Sequence, residues 1–131
     1  MSTQPVRSSA PALATVSEME LVQLARRISQ MRRKRDALFA PLTFADPEWD
    51  ILLDLFAEGG FSRRVSMSSL CIAASVPTTT AVRCINAMID QGMLAKSRDA
   101  SDARRVLVEL TEESRSKMRL WLTQVAGDLL R

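Results

Sequence analysis

Residues 66–111 read SMSSLCIAASVPTTTAVRCINAMIDQGMLAKSRDASDARRVLVELT, and four signals follow one another along them. Leu70, Cys71 and Ala74 give a short apolar helix pattern. A tight turn follows at Ser75-Val76-Pro77. Ala81, Cys84, Ile85 and Met88 then recur at helical spacing, and Gln91-Gly92 ends that run. Met93 to Arg98 and Arg105 to Leu110 read as two strands. In the second, Val106, Val108 and Leu110 alternate with Arg105, Leu107 and Glu109, the period of a half-buried strand. The tip from Arg98 to Arg105 is charged and too long for a two-residue turn. Helix, turn, helix and basic hairpin in this order imply a winged helix-turn-helix. Such a domain can set one helix in a DNA major groove with a loop beside it.

The pattern also sorts the faces. Pointing Ala81, Cys84, Ile85 and Met88 inward leaves Thr79, Arg83 and Asn86 on the outer face of the second helix. Pro77 stands at or beside its start, with Thr78, Thr79 and Thr80 in its first turn. Ser66 is the expected N-cap of the first helix.

Outside this stretch the chain reads as helix. Leu21, Leu24, Ile28, Met31, Arg35 and Leu38 alternate at spacings of three and four within Glu18 to Phe39, the seam of a helix packing on another helix. Arg35 interrupts that seam, and Pro41 ends the helix. Asp46-Pro47-Glu48 is a helix start: Asp46 can accept from free N–H groups, and proline suits the first position. Trp49, Leu52, Leu53 and Phe56 then share one face, and Gly59-Gly60 stop the helix. Val65 suggests a brief strand. Thr111 caps a last helix, with Glu112 and Glu113 at its positive end. Met118, Trp121, Leu122, Val125 and Leu129 line one side of that helix.

The expected fold class is therefore mainly α with a small β-hairpin. Residues 1–16, rich in Ser, Ala and Pro, form an expected disordered tail. Residues 17–40 form an N-terminal helix, 46–111 the winged helix-turn-helix, and 112–131 a C-terminal helix.

Composition narrows the function. The 131 residues suffice for one domain with a modest core, and 47% hydrophobic content is that of a globular protein. No apolar run is long enough to span a membrane, and the N-terminus makes a poor signal peptide, so a cytoplasmic protein is expected. The chain has no histidine, which excludes His-based triads. It lacks a P-loop and a G-x-G-x-x-G. No enzyme, cofactor or metal is expected. Cys71 and Cys84 lack zinc-site spacing and fall at core-like positions, where free cysteine acts as a small hydrophobe. The net charge is +3, with positive charge concentrated in two places. One is the stretch 61–111; the other is Arg26, Arg27, Arg32, Arg33, Lys34 and Arg35. Such clusters suit a polyanion, though the run 32–35 reads first as a solvated helix face.

These elements and their wording resemble the MarR family of bacterial transcriptional regulators. The resemblance rests on residues 65–71, 75–83 and 91–94, and most specifically on the wing stretch 102–111 with its closing Leu-Thr. It covers about residues 47–125. It implies that the second helix of the pair enters the major groove while the wing reaches the minor groove or its edge. By position, Thr78, Thr79, Thr80 and Arg83 become groove and phosphate contacts. Asp102 and Arg104 match an acid–arginine pair in which the acid orients the guanidinium toward a narrow minor groove. Ser66, Asn86, Arg98 and Arg105 complete the expected DNA-binding set. Ala103 stands where the family often has another basic residue, and Ser114 where it has glycine.

The resemblance also implies dimers formed through the terminal helices. Leu21, Leu24, Ile28, Met31 and Leu38, with Trp121, Leu122 and Val125, are the expected interface. The family usually has more helix than the twenty residues that follow Thr111 here, which puts weight on the Leu21–Leu38 seam. The expected function is a regulator binding a pseudo-palindromic DNA duplex as a homodimer. A small-molecule effector is compatible with it, but no polar constellation identifies one. The rival reading is a winged-helix module whose recognition face meets a protein instead of DNA.

Overall fold

The first helix, α1 (Glu18–Leu38), begins with a capping box. Ser17 Oγ accepts from the Glu20 amide at 3.1 Å, and Glu20 Oε1 accepts from the Ser17 amide at 2.9 Å. The computed structural model describes residues 16–42, 44–59 and 63–129. The expected tail lies outside them except for Val16, which packs against the core. Gly60 and the last two residues of the expected C-terminal helix also lie outside.

Helix α2 (Pro47–Glu58) starts at the expected proline, but Asp46 makes no side-chain cap. Its carboxylate lies instead 3.7 Å from Arg32 of α1. Arg32 also donates to Asp50 at 2.7 Å. The basic run of α1 is thus not uniformly solvated. Arg32 clamps α1 to α2, and Arg35 lies over the Phe44 ring at 4.3 Å.

Next come strand β1 (Val65–Ser66), helix α3 (Met67–Ala73) and helix α4 (Thr78–Asp90). Strands β2 (Leu94–Arg98) and β3 (Val106–Leu110) and helix α5 (Glu112–Leu129) follow. The strands form one antiparallel sheet in the order β1-β3-β2, so the hairpin gains a third strand. Val65 pairs with Val108, and Leu94 with Leu110.

A single core fills the space between these elements. Ile51, Leu53, Leu55 and Phe56 of α2 meet Leu70 of α3, Ile85 of α4 and Val108 of β3, all with no exposure. Leu21 of α1 and Leu122 of α5 are buried in the same core. This corrects their expected place in a dimer interface. The two terminal helices pack on each other within one chain, so neither leucine is free for a partner. Trp121 also has an internal partner: its ring lies 4.8 Å from that of Trp49, edge to face. Leu24, Ile28 and Val125 are half-buried, while Met31 and Leu38 are exposed.

Candidate nucleic-acid interface

The turn between α3 and α4 depends on Ser75, whose φ of 59° is left-handed. That reversal lets α3 and α4 cross while Leu70, Ala74, Ala81 and Ile85 stay buried. Thr78, Thr79, Thr80, Arg83 and Asn86 are left on the opposite side, all exposed. Pro77 is the N-cap and offers no side-chain acceptor. The first amides of α4 therefore end in a helix N-terminus with positive dipole character, facing the same way as the threonines.

The far end of α4 is tied to the wing. Gly92 takes a φ of +79°, with nothing within 4 Å of a Cβ built there, so its glycine serves the backbone turn alone. Thr111 Oγ1 donates toward the Gly92 carbonyl at 3.0 Å. Ser114 Oγ donates to the Met93 carbonyl at 2.7 Å, and the Ser114 amide donates to Thr111 Oγ1 at 3.3 Å. Thr111 is thus the cap that the sequence suggests, and it also fixes the base of the wing against the end of α4. Ser114 is buried and adds a hydrogen bond to that corner.

The wing loop is ordered by its own aspartates. Asp99 Oδ1 accepts from the Ser101 amide at 2.9 Å and from its hydroxyl at 2.8 Å. These bonds hold the Asp99 carboxyl below its ordinary range. Asp102 Oδ1 accepts from the Arg104 amide at 3.1 Å and lies 3.4 Å from Arg104 Nε. The acid–arginine pair expected from the resemblance is therefore in place, with the Arg104 side chain 93% exposed. Arg98 donates to the Ala103 carbonyl at 3.0 Å, and Arg105 lies 3.8 Å from Asp99. Both still reach the surface while bracing the loop.

Ser66 does not belong to this surface. It is buried, pairs with Leu107 in the sheet, and caps α3 by accepting from the Ser69 amide at 3.3 Å. Its place in the expected DNA-binding set is corrected for that reason. The sequence reading missed Asp99, although an Asp two residues before a Ser is a recognisable turn-former. It also missed Arg115, a buried arginine on α5. The available signal was a cation three residues before Met118 on the apolar stripe of that helix.

The two cysteines remain free thiols, Cys71 buried and Cys84 half-buried, and burial raises the pKa of both. No group of His, Cys, Asp or Glu among the described residues could hold a metal. No described helix is long and apolar enough to cross a membrane.

A three-helix core, a three-stranded sheet with a long charged loop, and an exposed second helix make up a winged-helix domain, the fold also found in MarR family regulators. More narrowly, the chain belongs to the transcriptional regulator SarA/Rot family, whose sequence model matches residues 43–120. Solved structures share the fold. A MarR family transcriptional regulator from Silicibacter pomeroyi is 20% identical with a TM-score of 0.53, over 82% of this chain and 68% of that one. The PcaV transcriptional regulator from Streptomyces coelicolor, solved in complex with its natural ligand, is 24% identical with a TM-score of 0.51, over 82% and 74%. The S. aureus MepR G34K mutant is 19% identical with a TM-score of 0.53, over 79% and 74%. No curated protein matches the chain in sequence. The family regulates transcription and is not one of enzymes.

Proposed function

We propose that the chain is a cytoplasmic, sequence-specific DNA-binding regulator that acts as a homodimer on a pseudo-palindromic duplex. The observation that carries this reading is the exposed row Thr78, Thr79, Arg83 and Asn86 on α4, with Arg104 on the adjoining wing. The threonines and the helix N-terminus suit phosphates and would set register. Arg83 and Asn86 carry the donors and acceptors that distinguish base edges. Arg104, at the wing tip, suits the negative potential of a narrow minor groove. Leu24, Ile28, Met31 and Leu38 on α1, with Val125 and the exposed part of Trp121 on α5, are among the apolar groups open to a second copy. The solved PcaV complex makes a ligand-responsive mode reasonable here too.

One observation favours the rival reading. Ile72 on α3 is 82% exposed beside the start of α4 and, with Cys71, Val76 and Pro77, lines an open groove that suits an apolar protein side chain. One experiment separates the two readings: selection of bound duplexes from a random library, followed by salt titration on the winner. Binding that falls steeply with salt supports the DNA reading. Failure to bind any duplex at low salt rejects it in favour of a protein partner.

A further inference from the structure

Lys96, on β2, stands outside the contacts proposed above. Strand β2 pairs with β3 so that Leu94 faces Leu110, Lys96 faces Val108 and Arg98 faces Val106. Residues paired in register share one face of a sheet. Leu94, Val108 and Leu110 are buried, so this is the core face, the side on which α4 packs. Lys96 belongs to that face and is nevertheless exposed. Its place in the sheet is the cause. In the order β1-β3-β2 it lies on an edge strand, and the core covers that strand at Leu94 but not beyond.

Its charge is also uncommitted, unlike those around it. Arg98 donates to the Ala103 carbonyl, Arg104 is held by Asp102, and Arg105 lies beside Asp99. Lys96 makes no ion pair and no side-chain hydrogen bond among the described residues. Glu109, the only acid on β3, is in register with Ala95 and so stands on the other face, where it lies 3.4 Å from Arg64. A compact ammonium on a flexible stem suits a phosphate as a point charge, without reading bases. Its position selects the phosphate. Strand β2 leads from the end of α4 toward the wing tip, with Lys96 midway along it. With α4 in the major groove and Arg104 at the minor groove, the sugar-phosphate backbone that separates the two grooves passes the middle of β2.

We propose that Lys96 is the seat for that backbone: it takes a phosphate between the major groove filled by α4 and the minor groove met by the wing, and so holds the two contacts in register along the duplex. The proposal rests on the DNA reading. Salt titration of the full chain on the selected duplex and on a random one tests it. Lys96→Gln is expected to lower affinity on both duplexes alike, by roughly tenfold or more at 0.1 M salt, and to reduce the salt slope by about one per chain. Lys96→Arg keeps the charge and is expected to restore the slope, which a merely structural role would not predict. Single phosphates replaced in turn by neutral methylphosphonates then locate the contact. One position that weakens the native chain is expected to have no effect on Lys96→Gln. A native chain that binds no duplex overturns the DNA reading and this role with it. A native chain that binds with a steep salt slope overturns the seat alone in any of three cases: Lys96→Gln has the same slope, its loss is confined to the selected duplex, or no methylphosphonate position becomes silent.

Discussion

Arg83 and Arg104 are both exposed arginines, and the proposed DNA reading gives them different work. Arg83 projects from the first half of α4, where a guanidinium can reach two acceptors on one guanine. Arg83→Ala is expected to cost roughly 1–3 kcal/mol on the preferred duplex and much less on a random one. Equal losses in a gel-shift comparison would make it a phosphate contact only. Among the described residues, Arg104 is hydrogen-bonded to Asp102, at the wing tip. Arg104→Ala should lower DNA affinity while changing folding stability by less than about 0.5 kcal/mol; an unchanged affinity would remove the wing from the mechanism. Asp54 on α2 is a third case. Burial, then repulsion from Glu58, raises its pKa to about 6, against a partial offset from Arg33. Its cleft is also lined by Ser29, Arg32, Asp36, Asp50 and Ser75. The folded pKa is raised, so the folded state holds this proton more tightly than the unfolded chain. Stability from this group is present near pH 4 and is lost as pH rises to about 6; above that it stays at its lowest. Asp54→Asn should therefore be more stable than the native chain at pH 7.5, by about 1–2 kcal/mol after allowing for partial exposure. The difference should vanish below about pH 4. A urea titration at both pH values checks it.

At the scale of elements, the helices and the hairpin were legible because their apolar spacing matches their burial. Ala81, Ile85 and Met88 are inside, as their spacing says. The two-residue strand β1 was visible only as a single valine, because its pairing with β3 is a long-range event that no local pattern encodes. Ser66 was misplaced for a related reason. Exposed serines and buried caps look alike in sequence, and only the sheet decides which this one is. The charged tip with Arg98, Arg104 and Arg105 was legible, but not which of these side chains brace the loop. That depends on loop geometry set by Asp99 and Asp102 rather than on charge. The corner between α4 and α5 offers a direct test of an element junction. Ser114→Ala removes the hydroxyl that donates to the Met93 carbonyl, leaving that carbonyl to the Thr111 groups. The expected cost is about 1 kcal/mol, read from the shift in the urea midpoint at unchanged slope. A neutral result would show that Thr111 alone holds the corner.

For the whole molecule, burial divides the seam on α1. Leu21 faces inward, while Met31 and Leu38 are 58% and 81% exposed. Met31→Glu leaves the core intact and should convert a dimer to a monomer in sedimentation at micromolar concentration, with a parallel loss of DNA affinity. A native chain that sediments as a monomer would reject the dimer outright. In a dimer on DNA, the two α4 helices are expected about 34–36 Å apart, one helical turn of the duplex. The edge-to-face tryptophans bear on how such changes can be watched. Trp49 and Trp121 are the chain's only two tryptophans, and it has no tyrosine. Nearly all its near-ultraviolet absorption and emission therefore arises at one spot, the junction of α2 and α5. Two indoles 4.8 Å apart couple their excited states, so the folded chain should carry an exciton couplet in circular dichroism that vanishes in Trp121→Phe. Without any attached dye, the molecule carries its own optical gauge of how its terminal helix sits on the winged-helix core.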